Sequence, residues 1–126
     1  MIRHLQPKAV PTSKAPFSQV VIDDHYGFLS GLVAADFPEG VKALGDVEAE
    51  TRAVLIAIRA ILTELELGME SIVRVEVHLA DLDDFDAFDT AYREFFGAGS
   101  YPARTTTESR KLFGDSRVEI TCQACL

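Results

Sequence analysis

The sequence predicts an α+β fold of the order ββαβαββ, in which about five strands form one mixed sheet and two helices pack on one of its faces. Two stretches repeat apolar residues at spacings of three and four, as amphipathic helices do: residues 47–65 and 85–96. Other stretches are β-prone or alternate apolar with polar residues, as half-buried strands do: residues 17–22, 26–30, 72–79, 104–108 and 117–124. The second face of the sheet is expected to be polar, and either solvated or packed against copies of the chain.

The N-terminal third has the weakest pattern. Residues 1–14 have no period and contain two prolines, so they are expected to form an extended or partly ordered arm. Residues 17–22 and 26–30 flank an Asp-Asp-His turn and are expected to form a hairpin. Residues 32–45 are rich in Gly and Pro and are expected to be mostly loop.

The central elements have clear start and stop signals. Asp46 is a good N-cap for the first helix, and Gly68 is a natural stop for it. In the strand at 72–79, the odd-numbered residues from Val73 to Leu79 are expected to face the helices. Asp83 or Asp84 is expected to cap the second helix, whose aromatic stripe is typical of a core: Phe85, Phe88, Tyr92, Phe95 and Phe96.

The last two strands contain the residues most indicative of chemistry. A turn at Gly114-Asp115 separates them, which suggests an antiparallel pair that would bring Arg104 and Glu119 into one neighbourhood. A fixed guanidinium binds a carboxylate through two parallel hydrogen bonds, so an arginine beside a carboxylate could serve to hydrolyse a small acid. The alternative is that Arg104 pairs with a surface Asp or Glu of its own chain.

Composition excludes several classes of function. The 126 residues suit one domain, with the arm at 1–14 as its only appendage. The formal net charge is −8, and the 12 Lys and Arg residues form no basic stripe, so nucleic-acid binding is not expected. No apolar run is long enough to span a membrane, and the first residues lack the apolar core of a secretory signal.

No metal or cofactor site is expected. The three histidines lack the spacing of a metal pair, and the acidic cluster around Asp83 lacks the glycine and distal glutamate of a calcium loop. Cys122 and Cys125 are expected on opposite faces of the last strand, which disfavours a disulfide and fits a reducing cytoplasm.

Eight short motifs occur in order along residues 15–124: APFSQ (15–19), FLSG (28–31), GDVEAETR (45–52), VRVEVHL (73–79), DLDDF (81–85), YREFF (92–96), YPAR (101–104) and VEI (118–120). Together they resemble the reactive intermediate deaminase family, also called Rid or YjgF. The resemblance implies a chorismate-mutase-like fold, a homotrimer, and small-molecule clefts between adjacent subunits. It also implies hydrolysis of enamine and imine acids to 2-keto acids and ammonia, with no cofactor.

The resemblance also implies roles for individual residues. Arg104 matches the arginine that holds the substrate carboxylate, and Glu119 matches the glutamate associated with the hydrolytic water. Ser30 and Gly31 match a strand-end pair that lines the cleft, and Phe17 stands where many catalytic members have tyrosine.

Four further positions depart from the family pattern. Asp89 stands where asparagine is common, Thr106 where cysteine is common, Leu32 where glutamine is common, and Thr121 where a second glutamate is common. These changes are expected to alter the pocket wall and therefore the substrate. The alternative function is a non-catalytic trimeric protein that binds small carboxylates. An ionised Asp89 in the cleft would compete with an acidic substrate for Arg104, unless it points to solvent.

Overall fold

A single six-stranded mixed sheet organises the chain, and the computed structural model describes all of residues 1–126. The strands are β1 (Arg3–Leu5), β2 (Val20–Ile22), β3 (Tyr26–Val33), β4 (Ile72–Leu79), β5 (Ala103–Glu108) and β6 (Val118–Cys125). The helices are α1 (Pro38–Val41), α2 (Val47–Glu64) and α3 (Phe85–Tyr92). The order of strands is β1-β2-β3-β6-β4-β5, antiparallel except for the parallel β4–β5 pair. The predicted α+β class, with helices on one face of a mixed sheet, is confirmed.

The N-terminal segment belongs in part to the sheet. β1 pairs antiparallel with β2, with Arg3 opposite Ile22, so the segment 1–14, expected as an extended or partly ordered arm, contributes an edge strand to the sheet, which the sequence did not predict. A three-residue strand is too short to show a period, and its partner determines that it forms. Beyond it, the carboxylate of Glu64 accepts hydrogen bonds from the backbone N–H groups of Lys8 and Ala9, both at 2.8 Å. The segment is thereby fixed to the end of α2.

Helix α2 begins as predicted but ends earlier. The Asp46 carboxylate accepts a hydrogen bond from the N–H of Ala49 at 3.1 Å, which is the expected cap. The helix ends at Glu64, and the chain turns at Glu66, whose φ of 61° is left-handed, rather than at Gly68. The segment 32–45, expected to be mostly loop, contains the end of β3 and the short helix α1. No helix combines the length and the apolar character needed to cross a membrane.

Alternation along β4 and β6 builds the core against the helices. Val75, Val77 and Leu79 of β4 are buried, as predicted, and so are the even-numbered residues Val118 to Ala124 of β6. Val73 is the exception, with 42% of its surface exposed, because the pairing register shifts between Ile72 and Arg74. Ile72 takes the buried position instead.

The predicted antiparallel pairing of the last two strands is wrong. β6 lies between β3 and β4, and β5 is an edge strand parallel to β4, to which α3 provides the connection. The physical reason lies in composition. β6 buries four small or apolar side chains on one face and therefore takes a central position, whereas β5 (Ala-Arg-Thr-Thr-Thr-Glu) has no large apolar side chain to bury.

The N-terminus of α3 is held by two aspartates with different roles. Asp84 occupies the N-cap position, one of the two that the sequence favoured, but its side chain pairs with the guanidinium of Arg117 at 2.5 Å and caps nothing. The capping bond is made one turn earlier, where the Asp81 carboxylate accepts from the N–H of Asp83 at 2.8 Å. Asp84 thereby ties α3 to the start of β6.

Glu50 is a fully buried carboxylate that joins α2 to the sheet. One oxygen accepts from the N–H of Gly45 and the other from the N–H of Arg117, both at 2.8 Å. Both donors are backbone groups that have no other acceptor in this position. The side chain of Glu50 therefore accepts hydrogen bonds from the turn before α2 and from the residue before β6.

We expect Glu50→Ala to lower the free energy of unfolding by about 2–4 kcal/mol, because it removes a buried carboxylate that accepts two charge-assisted hydrogen bonds from backbone N–H groups. Urea denaturation at one fixed protein concentration measures this. Glu39→Ala is the control, since its ion pair with Lys42 is exposed and should contribute less than about 1 kcal/mol. Equal losses in both variants would show that the bonds of Glu50 contribute little.

The two cysteines differ in burial, as their opposite faces predict. Cys122 is buried and Cys125 is exposed, and both are free. Burial raises the pKa of the Cys122 thiol to about 12, so that thiol stays protonated as well as inaccessible. At about pH 8 we expect a thiol reagent to label one cysteine in the native chain and both in urea. Cys125→Ser should abolish native labelling, and labelling that persists in this variant would place Cys122 at the surface.

Candidate active site

Arg104 is held at the edge of the sheet by aromatic rings. It is the second residue of β5, opposite Val75, so its side chain points to the helix-covered face. There its guanidinium carbon lies 5.5, 5.4 and 4.8 Å from the ring centroids of Phe85, Phe88 and Tyr92 on α3. Cation–π contact with three rings favours this position of the guanidinium. Part of the predicted aromatic stripe is therefore both core and the wall of a site.

Asp89 faces Arg104 from the same helix. Its Oδ1 lies 2.8 Å from Nη1 of Arg104, and the two side chains are only 16% and 21% exposed. Asp89 thus does not point to solvent. The alternative reading of Arg104, a pair with a carboxylate of its own chain, is correct, but the pair is mostly buried and lines a cavity rather than lying free on the surface.

The cavity beside this pair, called here the Arg104 cavity, measures about 260 Å³. It is lined by Asp89, Tyr92, Arg93, Tyr101, Pro102 and Arg104. The hydroxyl of Tyr92 is buried there, beside the guanidinium of Arg104. Burial raises the pKa of Tyr92 to about 12 and outweighs the nearby guanidinium of Arg104, so the phenol is protonated at neutral pH. Tyr92 was assigned only to the core by its sequence position, and its polar end is an addition to the site.

Glu119 lies on the other face of the sheet, which is called here the open face because no helix covers it. Gly31 on the neighbouring strand makes room for it: a Cβ at that position would lie 3.0 Å from Cδ of Glu119 and 3.0 Å from Oγ1 of Thr121. Glu119 and Gly31 line a second cavity of about 520 Å³, called here the Glu119 cavity. Phe17, which is half exposed, lines it as well.

Two polar residues of the Glu119 cavity were not identified from the sequence. Gln19 is 6% exposed, and its Nε2 has no hydrogen-bond partner. Asp36 accepts a hydrogen bond from the N–H of Val33 at 3.2 Å, and burial raises the pKa of its carboxyl despite that bond. Gln19 belongs to the APFSQ motif and could have been suspected from it. Asp36 has no comparable signal, since it lies in the segment expected to be loop.

Other predicted positions lie outside both cavities. The hydroxyl of Ser30 donates to the carbonyl of Ser18 at 2.7 Å and so joins β3 to the segment before β2. Thr106 shares the helix-covered side of β5 with Arg104 but does not line the Arg104 cavity. Leu32 is 1% exposed within the core, so the expectation that it alters the pocket wall is wrong for the single chain.

A single chain does not bring Arg104 and Glu119 together, contrary to the sequence expectation. The two strands that carry them are separated by β4, and their side chains point to opposite faces of the sheet. The chain therefore presents two separate cavities, one with a cation and one with a carboxylate. No group of three or more His, Cys, Asp and Glu side chains is arranged to hold a metal ion.

Comparison with known proteins identifies the family. The sequence model described as Endoribonuclease L-PSP matches residues 7–126. A RutC family protein of Synechocystis is 32% identical over 124 residues, covering 97% of this chain and 95% of that protein. A goat protein named 2-iminobutanoate/2-iminopropanoate deaminase is 31% identical over 118 residues, covering 94% of this chain and 85% of its own.

Solved structures have the same fold. The YjgF gene product of E. coli superposes with a TM-score of 0.84 at 26% identity, with 98% of each chain covered. The Rid protein YyfA of Yersinia pestis superposes with a TM-score of 0.90 over the full length of both chains. At 23% identity that second match supports the fold alone. By sequence and by fold, the chain belongs to the Rid family, the family of YjgF and the RutC proteins.

Proposed function

We propose that the protein hydrolyses reactive 2-imino acids to 2-keto acids and ammonia. The observation that carries this proposal is the guanidinium of Arg104, fixed by three rings at the wall of a small cavity. Such a group suits the carboxylate of a small acid. Relatives at about 30% identity that are named 2-iminobutanoate/2-iminopropanoate deaminases support the same reaction.

We further propose that the complete cleft forms between subunits of a homotrimer. Arg104 and Glu119 point to opposite faces of one sheet, so a cleft that contains both needs Glu119 from a second copy. The open face is suited to association. Phe28 and Tyr26 lie there 41% and 37% exposed, beside polar groups such as Arg74 and His78 whose side chains are held by threonines of β5.

The proposed reaction uses both cavities as the two halves of one cleft, the Arg104 cavity of one subunit and the Glu119 cavity of its neighbour. Arg104 holds the substrate carboxylate, which places the C=N carbon at a fixed distance from the neighbouring chain. Glu119 orients a water molecule and accepts a proton as the water oxygen bonds to that carbon. The C–N bond then breaks, ammonia leaves, and the C=O bond of the keto acid forms. Each step is an addition, an elimination or a proton transfer, and none changes an oxidation state, so the reaction requires no redox cofactor.

The alternative is a trimeric protein that binds small carboxylates without catalysis. The observation in its favour is the ion pair between Asp89 and Arg104, which must break before the guanidinium can bind the carboxylate of another acid. Cleavage of RNA, which the family description names, is disfavoured for this chain. With 20 Asp and Glu against 12 Lys and Arg, its charge opposes a phosphate backbone.

The reaction can be followed by coupling the protein to a serine or threonine dehydratase and trapping the released imine as a semicarbazone. We expect the wild-type protein to suppress trapping and Arg104→Ala to lose about a hundredfold in kcat/KM, because the carboxylate loses charged hydrogen bonds. Arg110→Ala removes an exposed arginine that lines neither cavity and is the control. Equal suppression by wild type and Arg104→Ala would refute the role of Arg104.

Subunit exchange tests where the cleft lies. Arg104→Ala and Glu119→Ala should each be inactive alone, but a 1:1 mixture exchanged through mild denaturant should recover about a quarter of wild-type activity. The fraction follows because a cleft is intact only when one subunit keeps its arginine and its neighbour keeps its glutamate, each with a chance of about one half. Mixed oligomers that form but recover no activity would place both residues in the same subunit's site.

A further inference from the structure

The wall of the Arg104 cavity contains acceptors as well as a cation. Oδ1 of Asp89 is buried and pairs with Nη1 of Arg104 at 2.8 Å, and the carboxylate accepts no hydrogen bond from any other group of the chain. The hydroxyl of Tyr92 is also buried, beside the same guanidinium. A carboxylate can accept several hydrogen bonds, so a ligand that carries N–H groups can add donors to Asp89. The carboxylate group of a ligand has no donor to give.

The charges around the Arg104 cavity also favour a ligand that carries N–H donors. Arg104 and the more exposed Arg93 are cationic, while Asp89 is anionic and lines the cavity beside Arg104. A monoanion that binds Arg104 must approach the carboxylate of Asp89, and the two like charges repel each other. A ligand with a carboxylate and a cationic nitrogen on adjacent carbons can instead contact a cation and an anion together.

We propose that the Arg104 cavity selects zwitterionic ligands, namely protonated 2-imino acids and 2-amino acids, and that Asp89 recognises their nitrogen. This inference rests on the proposed function, since it names the form of the substrate that the same cleft binds. Arg104 holds the carboxylate, and Asp89 accepts a hydrogen bond from the N–H of the iminium group. Tyr92 lies beside both and completes the polar wall.

The same arrangement of Arg104 and Asp89 favours binding of the imino acid substrate over the keto acid product. The overall step is R–C(=NH₂⁺)–COO⁻ plus H₂O giving R–C(=O)–COO⁻ plus NH₄⁺. The water oxygen forms a bond to the carbon, the π electrons of C=N move to nitrogen, and the C–N bond breaks as ammonia leaves with a proton. The iminium carbon is more electrophilic than that of the neutral imine, so Asp89 favours the reactive form. The keto acid has no N–H group, and its charge faces Asp89, which favours its release.

Calorimetric titration with three ligands of equal carbon number tests this: 2-aminobutanoate (a zwitterion), 2-oxobutanoate and 2-hydroxybutanoate (both monoanions). We expect the wild-type protein to bind 2-aminobutanoate most tightly. In Asp89→Asn, binding of 2-aminobutanoate should weaken by about tenfold to a hundredfold, and binding of 2-oxobutanoate should strengthen, so that the order reverses. Asp86→Asn removes an exposed carboxylate from the same helix and should leave the order unchanged.

The outcomes separate this inference from the proposed function. If the protein accelerates imine loss but wild type binds 2-oxobutanoate as tightly as 2-aminobutanoate, the inference is wrong and the deaminase proposal stands. If the order of binding reverses in Asp89→Asn but no acceleration occurs, the inference stands and the protein is a binder. Should Asp89→Asn elute or melt differently from wild type, Asp89→Glu, which keeps the charge and should retain the wild-type order, replaces it as the test.

Discussion

The position of β6 between β3 and β4 is the constraint on which the rest of the structure depends. Its alternation sends Val118 and Ile120 into the core and Glu119 to the open face. Because β6 occupies the centre, β5 is left at the edge, where Arg104 meets α3 instead of Glu119. Glu50 and Asp84 hold the entrance to β6 through Arg117, from two different helices. The separation of Arg104 from Glu119 is therefore a consequence of how the core is built.

The sequence predicts which face of the sheet a side chain occupies better than it predicts which strands lie next to each other. Period-two patterns placed Glu119 opposite the core, and the cap at Asp46 fixed the start of α2, because both are local signals. The order of strands is not local. A turn at Gly114-Asp115 suggested a hairpin between β5 and β6. The pairing was instead determined by burial of the apolar face of β6, which depends on strands distant in sequence and leaves no short-range pattern. The prediction that Val73 faces the helices was wrong for a related reason. A bulge depends on how two strands pair, so the sequence of one strand does not reveal it.

The candidate site was predictable in part for the same reason. Motifs identified Arg104, Glu119 and Gly31, but the partner of Arg104 depended on the helix register that places Asp89 one turn after Phe85. Ser30 and Leu32 flank Gly31 on β3, yet the side chain of Ser30 hydrogen-bonds to the backbone and that of Leu32 packs in the core. Neighbours in sequence on a strand point to opposite faces, so a motif that marks a candidate site also contains residues that line neither cavity of the single chain.

Asp89 is where this chain differs most from a simple anion site. A carboxylate at that position, where an amide would be neutral, adds a negative charge that a ligand meets beside Arg104. The pair is mostly buried, so water screens it weakly, and a ligand must replace the attraction that it disrupts. A ligand carrying charges of both signs can do so, while one carrying a single negative charge cannot. The carboxylate beside the arginine is therefore better understood as a second recognition group than as a defect in the first.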